Sequence, residues 1–135
     1  MVSYQTSAGV YQQAQIATAD RGRLLLLMFD GALRFLAQAE DGLRNDRVED
    51  FASPLARAQA VIAELLHTLD HKAGGEIAAQ LDRLYRFMLE HLVEANMKRS
   101  VRHVEQVRRV LSIIADAYRE VVAQGPAALG ARDAA

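Results

Sequence analysis

Residues Leu24–Phe29 read LLLLMF, six large apolar side chains in an unbroken row, followed by Asp30-Gly31-Ala32 and then by apolar residues at three- and four-residue spacing. At about 100° per residue, Leu25, Phe29, Ala32, Leu36, Ala39 and Leu43 fall on one stripe of a helix. Leu24, Met28 and Phe35 flank that stripe on one side, and Leu26 and Leu33 on the other. The apolar arc is then roughly 200° wide, about twice what a helix needs to close a small bundle. This pattern predicts a helix with a buried stripe and a surplus of apolar surface for something else to cover.

The rest of the chain supplies partners for that helix. Thr18 or Asp20 can cap it by accepting a backbone N–H bond, and Asn45-Asp46 interrupts it, giving a first helix over about 20–44. A second helical region, about 47–71, contains Ser53-Pro54, where proline removes a backbone donor and clashes with the preceding turn, so a break is expected near Pro54. Its inward stripe is Leu55, Ala58, Ile62, Leu65, Leu66 and Leu69, and His71-Lys72-Ala73-Gly74-Gly75 reads as its stop. A third helix over about 76–98 carries a core stripe of Ile77, Leu81, Leu84, Met88, Leu92 and Ala95, widened by Tyr85, Phe87 and Leu89. Ser100 caps a fourth, about 101–124, through Val104, Val107, Leu111, Ile114, Tyr118 and Val122, which Gly125-Pro126 stops.

Short connections make neighbouring helices antiparallel. The expected fold is therefore all-α, an up-and-down four-helix bundle over 20–124, with an N-terminal arm or short helix (1–19) packed on it and a flexible tail (125–135). Gly31, inside the first helix, costs about 1 kcal/mol relative to alanine, which a close approach of a neighbouring helix would explain.

Bulk properties narrow the function. The 135 residues fit one domain able to bury a sizeable core, with a composition rich in helix formers and poor in strand signals. A net charge of −1 sets up no global field for nucleic acid or an acidic membrane. No cysteine is present, which fits a reducing compartment. The N-terminus has no basic region leading into an apolar core, and no apolar run approaches the ~18 residues of a membrane span, so a soluble cytoplasmic protein without membrane insertion is expected.

Chemical constellations are sparse. Glu64-Leu65-Leu66-His67 has the Glu-x-x-His spacing of a di-metal bundle, but such a centre needs two copies and further inward carboxylates, and His71, His91 and His103 have no Glu three residues before them. No nucleophile sits beside a base and no glycine-rich phosphate loop follows a strand. No enzyme activity, cofactor or metal is expected. Lys98, Arg99, Arg102, His103, Arg108 and Arg109 make the junction of helices three and four basic, but Glu105 interrupts it and no aromatic residue interleaves, so a solvated face is favoured over nucleic acid. The wide apolar arcs of helices one, three and four leave two readings open: coverage by the arm and second helix, or a partner groove.

Three segments resemble one family, the flagellin-specific export chaperones known as FliS, over about Tyr11 to Tyr118. Thr18-Ala19-Asp20 ahead of LLLLMFDGA is similar to the family's capping T-A-S or T-A-D, aliphatic run, aromatic and D-G-A. Gly74-Gly75-Glu76-Ile77-Ala78, with Leu84-Tyr85, Met88, Leu92, Ala95 and Asn96, resembles its G-G-E-I-A, L-Y, M, L and A-N series. Ile114-Ala115-Asp116-Ala117-Tyr118 resembles its fourth-helix segment. Arg21-Gly22 and Ser53-Pro54 depart from the pattern, both at helix starts.

The resemblance implies a cytoplasmic, non-enzymatic chaperone that binds the disordered C-terminal segment of flagellin, prevents its premature polymerisation and helps deliver it to the flagellar type III export apparatus. A component of the export gate would receive the chaperone–flagellin complex, and an anti-sigma factor or co-chaperone is a further possible partner. Candidate contacts are Tyr11, Ile16, Leu24, Met28, Asp30, Phe35, Tyr85, Leu89 and Asn96, with Val10, Tyr11 and Ile16 as an arm that gates the groove. The rival readings are a metal-binding four-helix-bundle enzyme and a regulatory nucleic-acid-binding bundle.

Overall fold

In the computed structural model, which describes residues 7–125 with side chains from Asp20 onward, the chain forms α1 (Ser7–Arg44), α2 (Val48–His67), α3 (His71–Lys98) and α4 (Val101–Ala123). There is no strand among the described residues, and the fold is all-α. α1 packs against α2 and α4, and α3 packs against the same two helices, so α1 and α3 sit on one diagonal of the bundle.

Helical backbone begins well ahead of residue 20. The stretch from Ser7 is rich in alanine and glutamine and free of proline, so nothing stops the helix, and Thr18 and Asp20 lie inside it rather than capping it. Gly22 is buried there, so packing offsets its poor helix propensity. The other end falls where Asn45-Asp46 places it: Asn45 and Asp46 form the turn, and Asp46 adopts φ 57°.

α2 is continuous, with Pro54 inside it, and the expected break is absent. The buried stripe Phe51, Leu55, Ala58, Ile62 and Leu65 keeps its three- and four-residue spacing straight through the proline. Proline in a helix interior costs about 3 kcal/mol, whereas burying Phe51 and Leu55 on either side of it contributes about 1.5–3 kcal/mol each. Burial therefore outweighs the lost hydrogen bond. The carbonyl that would have accepted that bond belongs to Asp50, and α1 approaches it closely: a Cβ built on Gly42 would lie 2.5 Å from the Asp50 carbonyl carbon and oxygen. The close helix contact is at Gly42 and not at Gly31, where the nearest atom to a Cβ is the Arg34 guanidinium at 4.0 Å.

The segment His71–Gly74, expected to stop α2, instead opens α3, and α2 ends at His67. The Asp70 carboxylate accepts from the backbone N–H groups of Lys72 (3.1 Å) and Ala73 (3.0 Å), which nucleates this first turn. Gly75 then takes φ 50°, ψ −124°, a conformation open only to glycine at low cost, and α3 continues beyond the kink. Ser100 caps α4 as expected, accepting from the His103 N–H.

Phe29, Ala32, Leu36 and Ala39 from α1 meet the α2 stripe and Tyr85, Met88, Leu92, Ala95, Val104, Val107, Leu111 and Ala115 in one core. Leu25 and Leu43, expected on the α1 stripe, are half-buried against it, as are Leu66 of α2 and Leu69, which lies in the connection to α3 rather than in α2. α3 departs from expectation. Met88, Leu92 and Ala95 are buried as expected, but the buried positions ahead of them are Ala78 and Tyr85, each one place after Ile77 and Leu84, which are exposed. Both stripes of that wide apolar arc are hydrophobic, and the bundle buries the one that carries Tyr85.

Candidate partner-binding surface

Three ion pairs define how α1 and α4 run against each other. Asp30 accepts from Arg119 at 2.8 Å, Glu40 from the Arg108 guanidinium, and Arg44 donates to Glu105. Residue numbers rise along α1 as they fall along α4, so the helices are antiparallel, and the same register carries Ala123, the end of α4, opposite about residue 25 of α1. The Gly42–Asp50 contact brings the end of α2 to the same level. Turns of α1 before about Leu25 thus run past both neighbours, and LLLLMF begins at the open end of the bundle.

A cavity of about 220 Å³ lies at that end, lined by Leu25, Phe29, Leu65, Leu81, Tyr85 and Tyr118 among others. Its volume is below the roughly 300–1,000 Å³ of small-molecule sites and suits one large apolar side chain. The Phe29 and Tyr118 rings meet at 5.6 Å and 50°, partly closing the bundle end. Tyr85 is only 2 % exposed and belongs to the core rather than to the edge of the α3 arc, expected to contact a partner. Burial, and then the neighbouring Tyr118, push its phenol pKa well above the usual tyrosine value.

The remaining candidates fall on two stripes bordering α2. Leu24, Met28 and Phe35 share a flank of α1, and the Arg57 guanidinium of α2 lies 5.9 Å from the Phe35 ring, with Arg34 at 5.5 Å. Leu24 is 57 % exposed, and its neighbour Leu27, not singled out by the sequence, is 68 % exposed. Leu89 and Asn96, seven residues apart, share the flank of α3 away from His91 and Glu94, whose side chains reach α4. Leu89 is half-buried and Asn96 exposed. Beside them Val93 and Met97 are exposed, Met97 by 79 %. Asp30 stands apart on the α4 side, held by Arg119, which also binds Asp116. Val10, Tyr11 and Ile16 lie on the α1 backbone, with side chains outside those described.

A second apolar seam was missed by the sequence reading. Ile77 and Leu84, assigned to the core, are exposed together with Phe87, and across the seam Ile113 of α4 is exposed as well. The signal was present in the width of the α3 arc, but pattern alone does not say which edge faces water.

Other chemistry is scattered. Glu64 and His67 are both exposed, and His67 Nδ1 sits 3.0 Å from the Ala63 carbonyl. The basic junction is divided, since Arg108 turns to α1 and forms a two-point contact with Glu40, while His103 engages Glu94 and Ser100. Glu40 is the buried charged side chain among the described residues, and this fork satisfies it. Among the described residues no helix is long and apolar enough to cross a membrane.

Fold and surface together define a helical bundle that presents apolar stripes along rigid helices. Residues 3–125 match the family described as Flagellar protein FliS, and the chain belongs to that family. It is 32% identical over 111 residues to the Flagellar secretion chaperone FliS of Campylobacter jejuni, covering 82% of this chain and 87% of the relative. Over 105 residues it is 35% identical to the Flagellar secretion chaperone FliSB of Pseudomonas aeruginosa (75% and 83%). Over 121 residues it is 30% identical to the Flagellar secretion chaperone FliS of Bacillus subtilis (90% of each).

Proposed function

We propose that this protein is a cytoplasmic flagellar secretion chaperone that binds the disordered C-terminal segment of flagellin, keeps it from polymerising before export, and accompanies it to a component of the flagellar type III export gate. The observation that carries this reading is the exposure of large apolar side chains on helix flanks, Leu24 and Leu27 on α1 and Ile77, Leu84 and Phe87 on α3, in a chain of the FliS family. Amphipathic segments of a disordered client would lay their apolar faces on these stripes. Part of the gross interaction energy is consumed in ordering the client, so tight binding remains reversible and release at the gate is possible.

The client path runs along the two stripes beside α2, with Leu24, Met28 and Phe35 on one side and Leu89 and Asn96 on the other, and over the seam of Ile77, Leu84 and Phe87 beside α4. Asp30 stands off this path on the α4 side of α1, paired with Arg119. The bundle-end cavity takes one apolar client side chain, with Tyr85 acting as its wall. Val10, Tyr11 and Ile16 compete with the client when the start of α1 folds back over this surface, and apparent affinity falls by the fraction of molecules held closed.

Co-purification with the C-terminal ~50 residues of the cognate flagellin, a length able to wrap a bundle of this size, tests the proposal. A one-to-one complex weakened by Leu24→Asp and Leu27→Asp is expected. Failure to form any complex with that segment refutes the client assignment.

A further inference from the structure

Where α3 turns into α4, three side chains with metal-ligating atoms converge. His91 and Glu94 project from the last turns of α3, and His103 from the first turn of α4. One donor atom from each lies within 4.8 Å of the other two. The imidazoles of His91 and His103 stack at 4.3 Å and 27°, and Phe87 covers the other face of His91 at 5.0 Å. Both histidines are half-buried, while Glu94 remains exposed and free to adjust.

We propose that His91, Glu94 and His103 form a site for one borderline divalent transition-metal ion, zinc foremost, which ties the end of α3 to the start of α4. Tetrahedral zinc with bonds of about 2.0–2.2 Å holds its ligand atoms roughly 3.4 Å apart. The His103 Nε2 to Glu94 carboxylate distance is already 3.1 Å. The other edges, each within 4.8 Å, must close by up to about 1.4 Å. Two imidazoles and one carboxylate select zinc, cobalt or nickel over magnesium and calcium, which favour all-oxygen sets. Three protein ligands leave a position for water.

Groups around the three donors hold them in place. The Ser100 hydroxyl lies 2.7 Å from His103 Nδ1 and fixes the orientation of that ring with Nε2 turned to Glu94. The Gln106 amide oxygen lies 2.6 Å from His91 Nε2 and orients the second ring. Lys98, Arg99 and Arg102 sit at the same turn, and their charge opposes a dication, so binding is weaker than at a closed structural zinc site. The spacing escapes a search for Glu-x-x-His because its order is reversed, His91 preceding Glu94, and because His103 joins only through the fold of the hairpin.

The test is isothermal titration of the untagged full-length protein with zinc, supported by the absorption spectrum of cobalt. The expected result is one zinc per chain, a cobalt spectrum of four-coordinate type, and no binding of magnesium at the same concentration. His91→Gln, His103→Gln and the exposed-site variant Glu94→Gln each weaken zinc by at least about tenfold, whereas His67→Gln and His71→Gln leave affinity unchanged. Glu94→Gln keeps the test valid if loss of a stacked histidine unfolds the hairpin. Absence of a one-to-one zinc complex overturns the proposal. So does retention of zinc by the His91→Gln/His103→Gln pair, or equal loss in His67→Gln or His71→Gln.

Discussion

Replacing Gly42 by alanine isolates a close approach of α1 to α2. The added Cβ would lie 2.5 Å from the carbonyl carbon and oxygen of Asp50 and 2.6 Å from the amide nitrogen of Phe51, all backbone atoms of α2. Ordinary contact needs about 3.5 Å, so α1 and α2 must part by about 1 Å along a seam where Ala39 and Phe51 are fully buried. Overpacking of this kind costs about 1–3 kcal/mol, and the better helix propensity of alanine returns up to about 1 kcal/mol. Gly42→Ala is therefore expected to destabilise the free protein by about 1–2 kcal/mol, read as a lower urea midpoint at unchanged slope and a fall in Tm of roughly 4–8 °C. Gly31→Ala provides the internal control on the same helix. Its Cβ meets nothing closer than 4.0 Å, so only the propensity gain remains and stability rises by up to about 1 kcal/mol. Gly42→Ala at or above wild-type stability, or equal losses in the two variants, would refute the reasoning.

The raised pKa of Tyr85 means that its phenol stays neutral when folded while ionising near pH 10 in the unfolded chain. Its contribution is intact below pH 10 and is lost as pH rises above it, at up to about 1.4 kcal/mol per pH unit; Tyr85→Phe should flatten the alkaline decline in urea stability, and parallel profiles would contradict this. Arg108→Ala strips the fork from the nearly buried Glu40 carboxylate and should cost about 1–3 kcal/mol by urea unfolding, part of which Glu40→Gln recovers in the double variant. Removing residues 1–16 takes away the competing segment, so affinity for the flagellin C-terminal segment measured by calorimetry should rise or solubility should fall; no change in either argues against a gate.

Local chemistry made some features legible. Asn45-Asp46 and Ser100 acted where turn and capping residues act, because each satisfies backbone groups within a few residues of itself. Local rules failed at Pro54, where burial of Phe51 and Leu55 outweighed the lost bond, and at His71–Gly75, where Asp70 captured a turn that otherwise read as a stop. Gly31 and Gly42 show the same limit. Each is a glycine inside one helix, and only the position of α2 tells that the second is needed.

The sequence by itself determined the all-α class, the four helices in their order, the α1 core through Phe29, Ala32, Leu36 and Ala39, and the family, since periodicity and motif are properties of neighbouring residues. The tertiary structure alone decided which edge of each wide apolar arc faces inward. On α3 it buried Tyr85 and exposed Ile77 and Leu84, and it brought His91 and Glu94 to His103 across a turn. The physical reason is that an arc wider than one core can be rotated without changing its pattern, and its orientation is set only by what the neighbouring helices can pack against.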